Sequence, residues 1–362
     1  MDALRILIVD DEEELVSALE ERLYLRGFQA KGVTTGEEAL AHIADQPCDV
    51  VLLDVKSGEV LAMVNQPSYN PNHADISSDG LRNRAITDVF EPGSVMKPFV
   101  VAAALETGRW HPQTPIDASP GWISIGRFTA KDHHNYGPID LTRLITKSSN
   151  VAAVKVARDL EPEQMWDTYD RFGFGDVTGT AFPGESAGVL RNWRRWKRVE
   201  QDTLSYGYGL SVTALQLAGA FAALANDGRR RSPSLIAGAE NPVESILDPG
   251  LARSVSAMLE TVTGPEGTGK QARVENYRVA GKTGTSRKSS AGGYKERRYI
   301  ASFAGFAPVS APRIAGVAVV NDPSNGEYYG GAVAAPLFSA VMSGAMRLMN
   351  VAPDNYQRMV AS

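Results

Sequence analysis

The chain has 362 residues, 43% hydrophobic and 22% charged, the composition of globular material with room for two or three cores. Its net charge of −5, with acidic residues crowded toward the N-terminus, gives no electrostatic case for a nucleic-acid partner. A single cysteine, Cys48, excludes an internal disulfide framework, the five histidines show no metal-ligand spacing, and His133-His134 reads as a loop pair. No apolar stretch approaches the roughly 18 residues of a bilayer span, and the N-terminus lacks a signal-peptide layout, so the chain as written is expected in the cytoplasm.

Residues 4–54 read as β-α-β-α-β. "LRILIV" is a short buried strand, 12–26 an amphipathic helix ended by Gly27, and "FQAKGV" a second strand; a helix over 36–44 and the strand "DVVLLDV" follow. Strands alternating with helices predict a parallel sheet. From Lys56 the pattern changes, because "VLLDV-KSG-EVLAMV" is two strand-like runs across a short glycine turn, an antiparallel hairpin. Apolar helical segments are expected near 94–106, 139–158, 211–226 and 248–263. Strands follow near 277–283, 300–307 and 313–320, and a last helix at 335–349. Helices in the middle and strands gathered late predict an α+β fold, an antiparallel sheet of about five strands between helix groups, preceded by a partial βαβαβ fragment.

Three short motifs carry the chemistry. In "EPGSVMKPF", Ser94 and Lys97 lie three apart, on one face of a helix, so their heads can meet. A serine hydroxyl is a poor nucleophile until a base takes its proton, and a desolvated lysine with a lowered pKa can be that base. Pro98 is tolerated best in a first turn, which places Ser94 at the helix N-terminus, where free amides can stabilise an oxyanion. The second motif is the polar triplet Ser148-Ser149-Asn150, which by itself reads as a helix cap. The third is Lys282-Thr283-Gly284-Thr285, at the end of an expected strand. Its glycine permits close approach of another backbone, and its lysine and threonines suit a carboxylate.

In this order the three reproduce the S-x-x-K, S-x-N and K-T-G set of penicillin-interacting serine enzymes. With "KSGEVLAMVNQPSYNPN", "FPGE", "YGYGLSVTALQLA", "AGKTGTSRK" and "FAGFAP", residues 50–355 resemble the transpeptidase domain of the division-specific class B penicillin-binding proteins, the septal peptidoglycan D,D-transpeptidases. The resemblance implies a β-lactamase/transpeptidase-like fold with the serine helix buried at its centre, and acyl transfer on D-Ala-D-Ala stem peptides without a cofactor or metal. Ser94 would attack the penultimate D-Ala carbonyl with Lys97 as base, Ser148 as proton relay and Asn150 as partner of the substrate amide. Lys282, Thr283 and Thr285 would hold the substrate carboxylate, and the amides of Ser94 and Thr285 would form the oxyanion hole. β-Lactams would acylate the same serine. The family also implies division-protein partners and a site at the periplasmic face of the inner membrane. An alternative on the same fold is a β-lactamase or D,D-carboxypeptidase, which needs a base for deacylation; Glu185 in "FPGESAGVL" is the candidate, read as structural.

Residues 1–54 resemble a truncated response-regulator receiver, with Asp10 and Asp11 as the acidic pair and Asp54 as the phospho-acceptor. A phosphorylation-dependent regulatory module is therefore a further alternative, although nothing after Lys56 supplies the remaining strands and lysine of a receiver. The segment "VVLLDV" fits both templates, so strand 50–55 is expected to be shared by a fusion. Two other motifs read as decoys. "GPEGTGK", residues 264–270, spells a phosphate loop but has Gln271 where a magnesium-binding hydroxyl belongs, and "RNWRRWKR", residues 191–198, reads as a solvated loop with two packed indoles.

Overall fold

The structure is a computed structural model. It describes residues 5–9, 17, 18, 20–22, 29–33 and 48–355, apart from 67, 69–80, 240, 289–297, 324 and 325. Two compact units divide at Pro47 and Cys48. In the first, β1 (Arg5–Val9) and β2 (Gln29–Val33) pair in parallel, Arg5 opposite Gln29 and Val9 opposite Val33, as the βαβ pattern predicts. Asp10, Asp11 and the helix expected at 36–44 lie outside the described residues.

The second unit is built on a five-stranded antiparallel sheet. Its strands are β3 (Cys48–Asp54), β4 (Val60–Gln66), β5 (Ala280–Arg287), β6 (Tyr299–Ala307) and β7 (Ile314–Asn321), in the order β5-β6-β7-β3-β4. The hairpin read from "VLLDV-KSG-EVLAMV" is present as β3 and β4. Here one expectation is corrected. β3 has β7 on one edge and β4 on the other, both antiparallel, so it is no third strand of a parallel receiver sheet. Asp54 closes the hairpin turn. Its carboxylate accepts from the Lys56 and Ser57 amides at 2.9 and 2.8 Å and pairs with Arg313 at 3.1 Å, and it is buried, the situation of a turn-forming carboxylate.

Eight helices of seven residues or more surround the sheet among the described residues: α1 (Lys97–Glu106), α2 (Leu141–Lys147), α3 (Asn150–Asp159), α4 (Pro162–Arg171), α5 (Arg198–Leu204), α6 (Ala214–Ala225), α7 (Pro249–Thr263) and α8 (Gly330–Leu348). Side chains alternate across a strand, and the clusters follow that period. Val51 and Leu53 join the large core containing α1, α6 and α7, while Val50 and Leu52 join the smaller one under α8. Burial on both faces explains why "VVLLDV" is continuously apolar.

The helix α1 is buried from Lys97 to Leu105, apolar on every side except at that lysine. Phe99 anchors it, its ring edge-on to Phe172, Phe174 and Phe221 at centroid distances of 4.8, 5.1 and 5.7 Å. The predicted helix over 139–158 is two helices, α2 and α3, broken at Ser148. The 19-residue α8 is long and apolar enough to cross a bilayer by length and composition, contrary to the sequence expectation, which its interrupting glycines, serines and Pro336 concealed. In this fold Ala334, Ala335, Phe338, Met342 and Met346 pack it onto the sheet.

Candidate active site

Ser94 lies in a short 3-10 turn, Gly93–Met96, that runs directly into α1 with Pro98 in its first turn, as the motif predicts. The turn is pressed against β5. Gly93 has φ +59°, and a Cβ there would come within 3.1 Å of the Thr285 carbonyl. On the strand side, a Cβ on Gly284 would meet Ser302 Oγ at 2.3 Å, Val95 Cγ2 at 2.6 Å and the Pro92 carbonyl at 2.8 Å. The glycine of K-T-G is therefore what lets the strand run beside the Ser94 turn. Among the described strands β5 is the edge of the sheet, the position at which an extended peptide can add to a sheet.

The Ser148 triplet divides its labour. Ser148 ends α2 in the left-handed region, φ 59°, and Ser149 caps α3 by accepting from the Ala152 amide at 3.0 Å. Asn150 is thus the first residue of α3. The cap reading is right for Ser149, and the residues on either side of it turn to Lys97.

Lys97 is fully buried, and its Nζ lies 2.9 Å from Ser94 Oγ, 2.5 Å from the Ser148 carbonyl, 3.1 Å from Ser148 Oγ and 2.7 Å from Asn150 Oδ1. Burial lowers its pKa to about 7, against a smaller upward pull from Asp132. The two carbonyl oxygens can only accept, so they take two N–H donors. One position on nitrogen remains, shared between the hydroxyls of Ser94 and Ser148. In the neutral amine that position is a lone pair able to take the Ser94 proton, and once protonated it can donate to Ser148 Oγ. Lys282, also fully buried, donates to Ser148 Oγ at 2.9 Å, and burial together with the neighbouring Lys97 pushes its pKa well below the usual value. Ser148 thus bridges two lysines.

Sequence reasoning missed Asp132. Its carboxylate accepts from Ser149 Oγ at 2.6 Å and from the Asn150 and Val151 amides at 2.6 and 3.1 Å, at the N-terminus of α3. It holds the triplet in place from a loop sixteen residues upstream of Ser148, where no local spacing marks it. Also missed was an aromatic wall, in which Tyr299 and Tyr328 stack at 4.1 Å and Tyr329 meets His133 edge-on at 5.5 Å.

Asp132 and this aromatic wall line one cleft of about 780 Å³, which Ser94, Ser148, Asn150, Thr283 and Thr285 also reach, whereas the fully buried Lys97 and Lys282 do not line it. Thr285 Oγ1 accepts from the Gly330 amide at 2.9 Å. Glu185 does not line it; its carboxylate takes the Thr178 amide and hydroxyl, and the Thr180 hydroxyl at 3.0 Å. In the arginine-tryptophan segment, Trp196 packs on the main core and Trp193 lies half-buried under Arg194. Among the described residues no group of three His, Cys, Asp or Glu side chains could hold a metal ion.

A serine at a helix mouth, a buried lysine beside it and a lysine-threonine strand across the cleft are an arrangement suited to serine acyl transfer. Residues 49–343 match the family described as the penicillin binding protein transpeptidase domain. The probable peptidoglycan D,D-transpeptidase PenA of Neisseria flavescens is 37% identical over 355 residues, 98% of this chain and 87% of its own length. The peptidoglycan D,D-transpeptidase FtsI of Escherichia coli K12 is 42% identical over 343 residues, 94% of this chain. The chain spans 57% of that relative's length. The transpeptidase domain of Burkholderia pseudomallei penicillin-binding protein 3 superposes with a TM-score of 0.79 at 39% identity, covering 88% of this chain and 93% of its own. The chain belongs to the penicillin-binding protein transpeptidase family. The PenA match is too long to be confined to Cys48 onward, so it reaches back into the first unit, and the response-regulator reading of that unit is not supported.

Proposed function

We propose that this chain is a peptidoglycan D,D-transpeptidase acting through an acyl-enzyme on Ser94. Lys97 carries the reading: a buried amine, its pKa lowered to about 7, stands 2.9 Å from the serine hydroxyl with its other hydrogens already committed. Ser94 attacks the penultimate D-Ala carbonyl of a stem peptide as Lys97 takes its proton. The amides of Ser94 and Thr285 receive the oxyanion, and the proton passes through Ser148 to the departing D-Ala. Asn150 binds the substrate amide, and Lys282, Thr283 and Thr285 bind the terminal carboxylate. An amine of a neighbouring stem peptide then takes the acyl group, and β-lactams acylate the same serine. Division proteins as partners, and work at the periplasmic face of the inner membrane, belong to the same family reading.

Hydrolysis is disfavoured by the placement of the carboxylates. Glu185, the candidate base, stands outside the cleft on Thr178 and Thr180, and Asp132 is engaged in holding Ser149 and two helix-start amides. Incubation with a stem pentapeptide, with and without a D-amino-acid acceptor, tests this. Transfer to the acceptor amine should dominate release of free tetrapeptide; tetrapeptide alone, insensitive to acceptor, would make the enzyme a carboxypeptidase.

A further inference from the structure

The loop spelled "GPEGTGK" binds no phosphate in the reading above, yet it forms part of the cleft. It connects α7 to the 3-10 turn Lys270–Ala272 and sets Thr268 Oγ1 2.8 Å from Thr283 Oγ1. Its backbone is tightly fixed. The Gly269 amide donates to the Val262 carbonyl at 2.9 Å, and the Thr268 carbonyl lies only 2.2 Å from where a Cβ on Gly331 would stand. Thr268 and Thr283 both reach the cleft.

A hydroxyl has one hydrogen and two lone pairs, so the direction of its bond decides what it can offer a ligand. Thr285 already accepts from the Gly330 amide, which leaves its hydrogen for the cleft. Thr283 Oγ1 has two polar neighbours, Lys282 Nζ at 3.4 Å, which donates to it, and the much nearer Thr268 Oγ1 at 2.8 Å. We infer that Thr268 is a positioning residue for the C-terminal carboxylate of the substrate: it donates its O–H to Thr283 Oγ1 and so turns the Thr283 hydrogen toward that carboxylate. Thr283 and Thr285 then present two oriented donors, each fixed from behind by a different part of the chain. The inference rests on the proposed reading of the cleft as a carboxylate-binding acylation site.

Acylation kinetics of the wild type and Thr268→Val with benzylpenicillin and with its methyl ester test it. Valine keeps the shape and removes the donor. The variant should lose roughly two- to tenfold in second-order acylation rate with the free carboxylate, as expected for one hydrogen bond, through weaker initial binding. Its rate with the ester should be unchanged, and Thr268→Ser should restore the wild-type preference. Equal losses with both ligands would reduce Thr268 to a packing role and overturn the inference, as would an unchanged preference. A folded wild type that both ligands fail to acylate would instead overturn the reading of the cleft, and the inference with it.

Discussion

Replacing Lys97 by methionine is expected to slow acylation of Ser94 by about 10²–10⁴-fold, the range general-base catalysis supplies. The side chain is fully buried, so a neutral chain of similar length fills its space and removes the amine without opening a cavity. The wild-type pH profile gives the same claim a second reading. The base must be unprotonated, and burial puts the Lys97 pKa at about 7. Acylation should therefore level off above that pH and fall about tenfold per unit below it. With the pKa of an ordinary exposed lysine the rate would still be rising with pH at pH 9. Stopped-flow acylation by a fluorescent penicillin between pH 5.5 and 9 measures this, and a flat profile across pH 7 would exclude Lys97 as the base.

Gly284→Ala is expected to damage the site almost as severely, by position alone. The new methyl would stand 2.6 Å from Val95 Cγ2 and 2.8 Å from the Pro92 carbonyl, on either side of Ser94, and 2.3 Å from Ser302 Oγ. Ser302 can rotate, but the Pro92 backbone cannot move without carrying the Ser94 turn with it. A displacement near 1 Å at a reacting group lowers rates on the order of 10²-fold, and overpacking should cost about 1–3 kcal/mol of stability. Gly344→Ala, inside α8 with nothing within 4 Å of its Cβ position, is the control and should be neutral or mildly stabilising. Near-wild-type acylation by Gly284→Ala would mean that strand β5 and the serine turn are not tightly registered.

Much of this was legible in the sequence, because periodicity and motif spacing report local facts. The hairpin β3–β4 and the late strands follow from apolar runs punctuated by turns, and the burial of the serine helix from the family resemblance. Ser94 and Lys97 meet by local spacing, but their meeting with Ser148, Asn150 and Lys282 was readable only through the joint family pattern, since nothing local relates residues fifty or more positions apart. Asp132 was invisible for the same reason: its partners are helix-start amides and a hydroxyl, groups that any carboxylate can serve. The receiver reading failed for a different physical cause. "VVLLDV" is apolar because both faces of β3 are buried, and such a strand fits a parallel sheet and the centre of an antiparallel one equally well. Asp54 at its end then reads as a phospho-acceptor until the hairpin turn it closes is seen.

The central claim is that Ser94 is the acylated nucleophile, and intact-protein mass spectrometry after incubation with a penicillin tests it most directly, with Ser94→Ala alongside. A single adduct of one penicillin per chain, stable for hours and absent from the variant, is the expected result. An adduct that persists in Ser94→Ala, or none in folded wild-type protein, would contradict it.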